Sequence, residues 1–306
     1  MPWATVDPLV RQDLEANLGG QIVGALDQRG GFSPACAARL ELSDGRRYFV
    51  KLLEVAVNAH AEALYREEAR CAQVLGGLPG AERWSVPLLD TYDDRGWFGL
   101  LYPDAGEVTP PLPWRNDEVE AMLQLLGELH QVDTSTLADV LPSAWDRLGA
   151  SFGGMSKLIH QRHEVLGDVP VALLERFEAW EEAAADHLVG TSLLHLDVRA
   201  DNLVGTAPMR LVDWASPALG PPFVDVVLAA PCVALQGGPM PSALLERSGA
   251  STHASVDAIA SVAAGFCGLL LSRGIEPEPQ GLPGLRRFQL AQGTVCFNWL
   301  VELAGS

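Results

Sequence analysis

The segment His195-Leu196-Asp197-Val198-Arg199-Ala200-Asp201-Asn202 sets an aspartate and an asparagine five residues apart on what reads as a tight loop. A second aspartate, Asp213, follows eleven residues after Asn202, at the end of a short apolar strand, Met209-Arg210-Leu211-Val212. Phosphoryl transfer from ATP needs such a set. One carboxylate accepts the proton of the attacking hydroxyl, while an amide oxygen and a second carboxylate hold the magnesium that bridges the phosphates. In that reading Asp197 is the catalytic base, and Asn202 and Asp213 are the Mg2+ ligands, oxygen donors suited to a hard cation. Asp-Asn pairs also serve as ordinary turn residues, so the loop alone does not decide. The aspartate that ends the following strand tips the balance towards chemistry.

Such a loop has to be positioned, and the elements around it fall into two blocks. In the first hundred residues, short apolar stretches at 21–27 and 35–42 are joined across Arg29-Gly30-Gly31-Phe32-Ser33-Pro34. Ser43-Asp44-Gly45 then reads as a hairpin turn and 47–53 as the returning strand. A helix is expected over 57–75, ending at Gly76-Gly77, and a second hairpin over 86–92 and 97–102 about the turn Asp93-Asp94-Arg95-Gly96. After Pro110-Pro111-Leu112-Pro113 helical periodicity takes over, at 117–132, 155–165, 171–188, 225–235, 257–273 and 285–303. The fold class expected is α+β, with a small β-rich lobe (1–103) carrying one helix and a larger, mainly helical lobe (104–306).

Lysine is scarce. Lys51 and Lys157 are the two in the chain, and Lys51 sits on the third strand, where a half-buried cation needs a carboxylate partner. The helix that follows offers Glu62, Glu67 and Glu68.

Together, H-L-D-x-x-x-x-N followed by V-D-W, with a strand lysine and a glutamate helix upstream, resembles the aminoglycoside phosphotransferase and choline-kinase-like family, which has a bilobal protein kinase-like fold. The resemblance implies that Lys51 binds the α- and β-phosphates of ATP and pairs with Glu68, with Glu67 as the second choice. It implies that Gly30, Gly31, Phe32 and Ser33 form the phosphate-covering turn. Leu100 to Glu107 resembles the family's hinge, so the Tyr102 carbonyl and the Asp104 N–H would meet adenine; Pro103 between them has no N–H to offer. Asp225 would fix the catalytic loop and His195 would brace it, while Leu129-His130 reads as packing. Three loop residues depart from the family pattern. Leu196 stands where a glycine is usual, and Arg199 and Asp201 replace the commoner His and Gly. Arg199 either steadies the γ-phosphate or pairs with Asp201.

Composition narrows the function classes. The chain has 306 residues, 48% apolar and 20% charged, as an ordinary globular protein does. Its net charge of −18 argues against nucleic acid or an anionic membrane as partner and suits a cationic substrate. The apolar stretch 258–272 falls short of the ~20 residues of a bilayer-spanning helix, and the N-terminus shows no export signal. Five widely spaced cysteines point to reduced thiols, so a cytoplasmic protein is expected. The function expected is ATP-dependent O-phosphorylation of a small-molecule hydroxyl, such as that of an aminoglycoside or another cationic antibiotic. Kinase activity on an amino sugar or amino-alcohol metabolite is an alternative, and so is a non-catalytic nucleotide-binding pseudokinase. The acceptor pocket is expected near Gln236-Gly237-Gly238 and the last two helices, with Trp299 and Glu302. Neither the acceptor nor the oligomeric state is fixed by these residues.

Overall fold

Side-chain alternation builds the first part of the chain. The computed structural model describes residues 1–28, 34–57, 59–106, 109–205, 208–250 and 254–305. It opens with α1 (Pro8–Leu18), a helix that the periodicity reading passes over although its start is marked. The Asp7 carboxylate accepts the Leu9 N–H at 2.8 Å, and proline occupies the first helical position. Three antiparallel strands follow, β1 (Ile22–Asp27), β2 (Cys36–Leu42) and β3 (Arg47–Glu54), then α2 (Ala59–Gly76) and the hairpin β4 (Asp90–Asp94) and β5 (Trp97–Pro103). The sheet order is β1-β2-β3-β5-β4. On β3, Val50 and Leu52 join a core with Leu14 and Leu18 of α1, whereas Leu53 joins Tyr65 and Ala69 of α2 on the other face. The two-residue period of a strand therefore sends Lys51 to the α2 side, opposite Leu100 of β5.

The chain divides into two compact units, Met1–Thr109 with Leu203–Ala215, and Pro110–Asn202 with Ser216–Ser306. A simple split into residues 1–103 and 104–306 thus misses a segment that returns to the first unit. That segment is the hairpin β7 (Leu203–Val204) and β8 (Arg210–Leu211). The Leu211 N–H donates to the Trp84 carbonyl at 2.8 Å, Val204 and Val212 pack on the α2-side core, and Trp84 and Trp214 meet edge to face at 5.4 Å. Contacts this distant in sequence leave no local periodicity to read.

The second unit is helical: α3 (Asn116–Leu129), α4 (Ala144–Leu148), α5 (Gly154–His160), α6 (Val171–Ala183), α7 (Phe223–Leu235), α8 (Pro241–Ser248), α9 (Val256–Gly274) and α10 (Leu285–Gly305), with the short ladder β6 (Ser192–Leu194) and β9 (Ala218–Gly220). At 19 residues α9 is longer than the stretch read from sequence, and it is long and apolar enough to cross a membrane, yet most of it is buried against the other helices of its unit. Its Gly268 lets α5 approach closely, because a Cβ there would overlap the Met155 nitrogen.

All five cysteines are free and buried. Burial pushes the Cys36 thiol up to about 11 and the Cys232 thiol up to about 12, so thiolate is scarce at neutral pH. Thiol titration with a disulfide reagent at pH 7.5 is expected to label fewer than about one cysteine per native chain and all five after unfolding. Rapid native labelling of two or more would contradict this burial.

Candidate phosphoryl-transfer site

In the first unit, Lys51 sits between two carboxylates. Its Nζ lies 2.8 and 2.9 Å from the two oxygens of Glu68 and 3.0 Å from Asp213 Oδ1. Glu68, not Glu67, takes the lysine; Glu67 pairs with Arg70 in the next helical turn. Glu68 is 1% exposed and also accepts the Tyr102 hydroxyl at 2.9 Å. Burial opposes the charge on Lys51, but the carboxylates of Asp213 and Glu68 overcome it and raise its pKa, so the ammonium persists. Burial and the neighbouring Glu68 carboxylate likewise keep the Tyr102 phenol protonated. Asp213 has a left-handed backbone, φ 68°, which aspartate tolerates better than most residues.

The hinge differs from the expectation by one residue. The Asp104 N–H donates to the Arg47 carbonyl at 3.3 Å, and Tyr102 stands opposite Phe49 in the same ladder. The Tyr102 carbonyl and the Asp104 N–H therefore both face β3, where the strand pairing uses them. By alternation, the Pro103 carbonyl and the Ala105 N–H face the other way, towards the edge where β4 has ended. Proline has no N–H, but it is its carbonyl that faces this edge. The Asp104 side chain is committed as well, bidentate with Arg39 at 3.0 and 2.6 Å and accepting the Gly106 N–H at 3.0 Å. Gly30, Gly31, Phe32 and Ser33 lie outside the described residues.

In the second unit, the loop after β6 is pinned from beneath. Asp225, at the start of α7 and 0% exposed, accepts the His195 N–H at 3.0 Å and the Leu196 N–H at 2.7 Å. His130 Nε2, just past the end of α3, lies 3.1 Å from the same carboxylate. His130 is thus part of the anchor, which corrects its reading as mere packing. Its place directly after a buried helix end was the signal available. His195 is buried and its Nδ1 accepts the Asp197 N–H at 3.3 Å. Leu196 takes φ 65°, a left-handed conformation that costs a non-glycine residue about 1–2 kcal/mol.

The loop then presents its polar groups. Asn202 Nδ2 donates to the Asp197 carbonyl at 2.8 Å and to Asp197 Oδ2 at 2.9 Å, which turns the Asn202 carbonyl oxygen away from Asp197. Asn202 is buried, while the Asp197 side chain is 48% exposed. Arg199 pairs bidentately with Asp201 at 3.0 and 2.7 Å. Trp299, expected in an acceptor pocket, is instead a core residue whose Nε1 donates to Ser242 at 3.1 Å. Gln236 accepts the indole N–H of Trp114 at 3.1 Å, and Ser242 donates to Glu302 at 2.8 Å.

Among the described residues no three His, Cys, Asp or Glu side chains gather into a metal set. Asn202 in the second unit and Asp213 in the first each carry an oxygen donor of the kind that a hard cation such as magnesium takes.

The sequence pattern of the phosphotransferase enzyme family matches residues 29–259. Among solved structures, the chain is similar to a spectinomycin phosphotransferase in complex with ADP and spectinomycin, at 13% identity and a TM-score of 0.62, covering 98% of this chain and 99% of the other. It is similar to an aminoglycoside phosphotransferase in complex with AMP-PNP and hygromycin B, at 15% identity and a TM-score of 0.63, covering 98% and 100%. A putative fructosamine-3-kinase from Thermobifida fusca matches at 17% identity and a TM-score of 0.56, covering 94% and 98%. These similarities give the protein kinase-like fold expected from the sequence. No curated protein sequence matches the chain.

Proposed function

We infer, for a chain that belongs to the phosphotransferase enzyme family, that it transfers the γ-phosphoryl group of ATP to a hydroxyl of a small molecule. The observation that carries this reading is Lys51, buried and held cationic between Glu68 and Asp213. A lysine fixed by a buried glutamate beside an aspartate is what binding of nucleotide phosphates requires. Lys51 holds the α- and β-phosphates, and the Pro103 carbonyl with the Ala105 N–H meets the adenine edge. Asn202 and Asp213 hold magnesium, which when bound neutralises the phosphate charge.

Asp197 is the base. It takes the proton of the acceptor hydroxyl as that oxygen bonds to the γ-phosphorus and the bond to the bridging oxygen of ADP breaks. Charge balance supports a cationic acceptor, given a net charge of −18. Aminoglycoside-like antibiotics and amino sugars share that chemistry, and the role is resistance in one case and metabolism in the other. Retention of Lys51, Asp197, Asn202 and Asp213 disfavours a non-catalytic pseudokinase. Five cysteines outside any disulfide fit a reducing compartment, and we place the protein in the cytoplasm.

A panel containing spectinomycin, hygromycin B, other aminoglycosides, amino sugars and amino-alcohols, with magnesium-ATP and transfer read by mass spectrometry, tests the reading. Phosphorylation of at least one hydroxylated amine is expected. Failure of the chain to bind magnesium-nucleotide would overturn it. The adenine assignment has its own test. Ala105→Pro removes a single N–H and is expected to weaken nucleotide binding about tenfold, the worth of one such bond, whereas an unchanged nucleotide Kd would refute it.

A further inference from the structure

Glu68 is held by more than its lysine. Its carboxylate is buried, where an oxygen short of donors is costly. Among the described residues its donors are Lys51 Nζ, at 2.8 and 2.9 Å, and the Tyr102 hydroxyl, at 2.9 Å on Oε1. Tyr102 is itself buried and its phenol stays protonated, so the hydroxyl is there to donate. The ring comes from β5, where Phe98, Leu100 and Tyr102 alternate onto the α2 face, the face that also takes Lys51 from β3. Tyr102 therefore stands next to the Pro103 carbonyl assigned to adenine, and its side chain reaches the carboxylate that restrains the phosphate-binding lysine. Phenylalanine fills the same ring volume, so packing alone does not call for the hydroxyl.

We propose that Tyr102 is a positioning residue for Lys51, its hydroxyl keeping the Glu68 carboxylate seated while the lysine engages the phosphates of the nucleotide. Lys51 has here the phosphate-binding role proposed above, on which this assignment rests. Without nucleotide, the ammonium is spread over both oxygens of Glu68 and over Asp213 Oδ1 at 3.0 Å. It has three N–H donors, so a phosphate oxygen draws on a donor that a carboxylate already uses. Asp213 is assigned to magnesium, which leaves Glu68 as the carboxylate that restrains the lysine. As the phosphates weaken the Lys51 bonds to Glu68, the Tyr102 hydroxyl is the donor that remains on this buried carboxylate. With it, Glu68 keeps its place and the ammonium stays aimed. Without it, the glutamate side chain turns with the lysine and the hold on the phosphates loosens. The adenine contacts assigned to main-chain groups of Pro103 and Ala105 do not pass through the hydroxyl, so its loss falls on the phosphates and not on the base.

Tyr102→Phe, which removes one oxygen and keeps the ring, is tested by calorimetric titration with magnesium-ADP and with adenosine. The Kd for magnesium-ADP is expected to rise about tenfold, in the range of one hydrogen bond to a charged group. The Kd for adenosine is expected to move less than about twofold. Damage to packing or to the adenine edge weakens both ligands alike, and that result would overturn the proposal, as would a parental Kd for magnesium-ADP. In a Glu68→Gln background, where an uncharged amide faces Lys51, the same substitution is expected to change the Kd for magnesium-ADP less than about threefold. A further loss of the full tenfold there would show that the hydroxyl acts through another group, and would refute the assignment. Tyr102→Met, which also lacks the hydroxyl, carries the same comparisons if the phenylalanine variant fails to fold. Crystal structures of the parent and of Tyr102→Phe with magnesium-ADP give a second readout. A Glu68 carboxylate displaced in the variant supports the proposal, and one in its parental place refutes it. A parent that binds no magnesium-ADP would overturn the functional reading and this assignment with it. A parent and a variant that bind it equally well would overturn this assignment alone.

Discussion

Asp197→Asn is expected to lower acceptor phosphorylation about 10²- to 10⁴-fold, the span of a lost general base, while magnesium-nucleotide still binds with its parental Kd. The substitution is nearly isosteric. The Asp197 side chain is half exposed, and its main-chain carbonyl keeps the Asn202 amide at 2.8 Å. The change weakens the bond from Asn202 Nδ2 and removes a charge beside Arg199, so fold stability is expected to fall by about 0.5–1.5 kcal/mol. Lys51, Glu68 and Asp213 keep the ion pairs they make with one another. An amide cannot take the hydroxyl proton, so the loss falls on kcat and not on KM for ATP. Quench-flow with the acceptor, together with calorimetric titration of magnesium-ADP, separates the two quantities. Retention of more than about a tenth of the parental kcat would place the base elsewhere.

How much of this was legible in the sequence depends on the range of the contacts. Lys51 was found because a strand has a period of two and lysine is rare in this chain. Asp197 and Asn202 could be singled out because one loop holds them at fixed spacing, and Asp213 because it ends the short strand that follows. Glu68 could be preferred to Glu67 only by resemblance. The helix places both within reach of solvent-side or core-side partners, and it is burial against β5, with the Tyr102 hydroxyl, that makes the choice. The hinge was misread by one residue for a similar reason. Which carbonyls of β5 face β3 is set by pairing with Arg47 and Phe49, and that pairing cannot be read from β5 alone. The β7–β8 hairpin shows the limit most clearly. Two-residue strands carry no period, and their membership of the first unit rests on Trp84 and Trp214, more than a hundred residues apart in the chain.

Leu196 is a departure from the family pattern that the structure makes intelligible. With φ 65° the position has the backbone for which glycine is the unstrained choice. Leucine there is strained by about 1–2 kcal/mol, but its side chain is 9% exposed, and burial of a leucine contributes about 1.5–3 kcal/mol in return. The two effects are of similar size, so the loop keeps its path with a different residue. What enforces that path is the carboxylate of Asp225, whose two oxygens accept the N–H groups of His195 and Leu196.

Asp225→Ala is accordingly expected to be the most destabilising single change in the second unit. It strips a fully buried acceptor from two main-chain N–H groups and from His130 Nε2. Each buried donor left without a partner costs about 1–3 kcal/mol, so three sum to about 3–9 kcal/mol, the lower half of which matches the roughly 3–5 kcal/mol for breaking a buried ion pair. That is a large share of the roughly 5–15 kcal/mol that holds a domain folded. Asp225→Asn keeps one oxygen for one N–H but turns an amide N–H2 towards the other, and is expected to cost about half as much. His130→Ala removes one of the three donors and leaves the loop N–H groups satisfied, so it should cost least, about 1–2 kcal/mol. Because the chain has two units, a single melting temperature mixes their unfolding. Hydrogen exchange of the 195–202 loop, set beside calorimetry of the whole chain, resolves the effect. Exchange there is expected to accelerate in the order His130→Ala, Asp225→Asn, Asp225→Ala, with kcat falling in the same order as the loop that carries Asp197 loses its seat. Equal protection in all three variants would mean that His195, through its bond to the Asp197 N–H, holds the loop without Asp225.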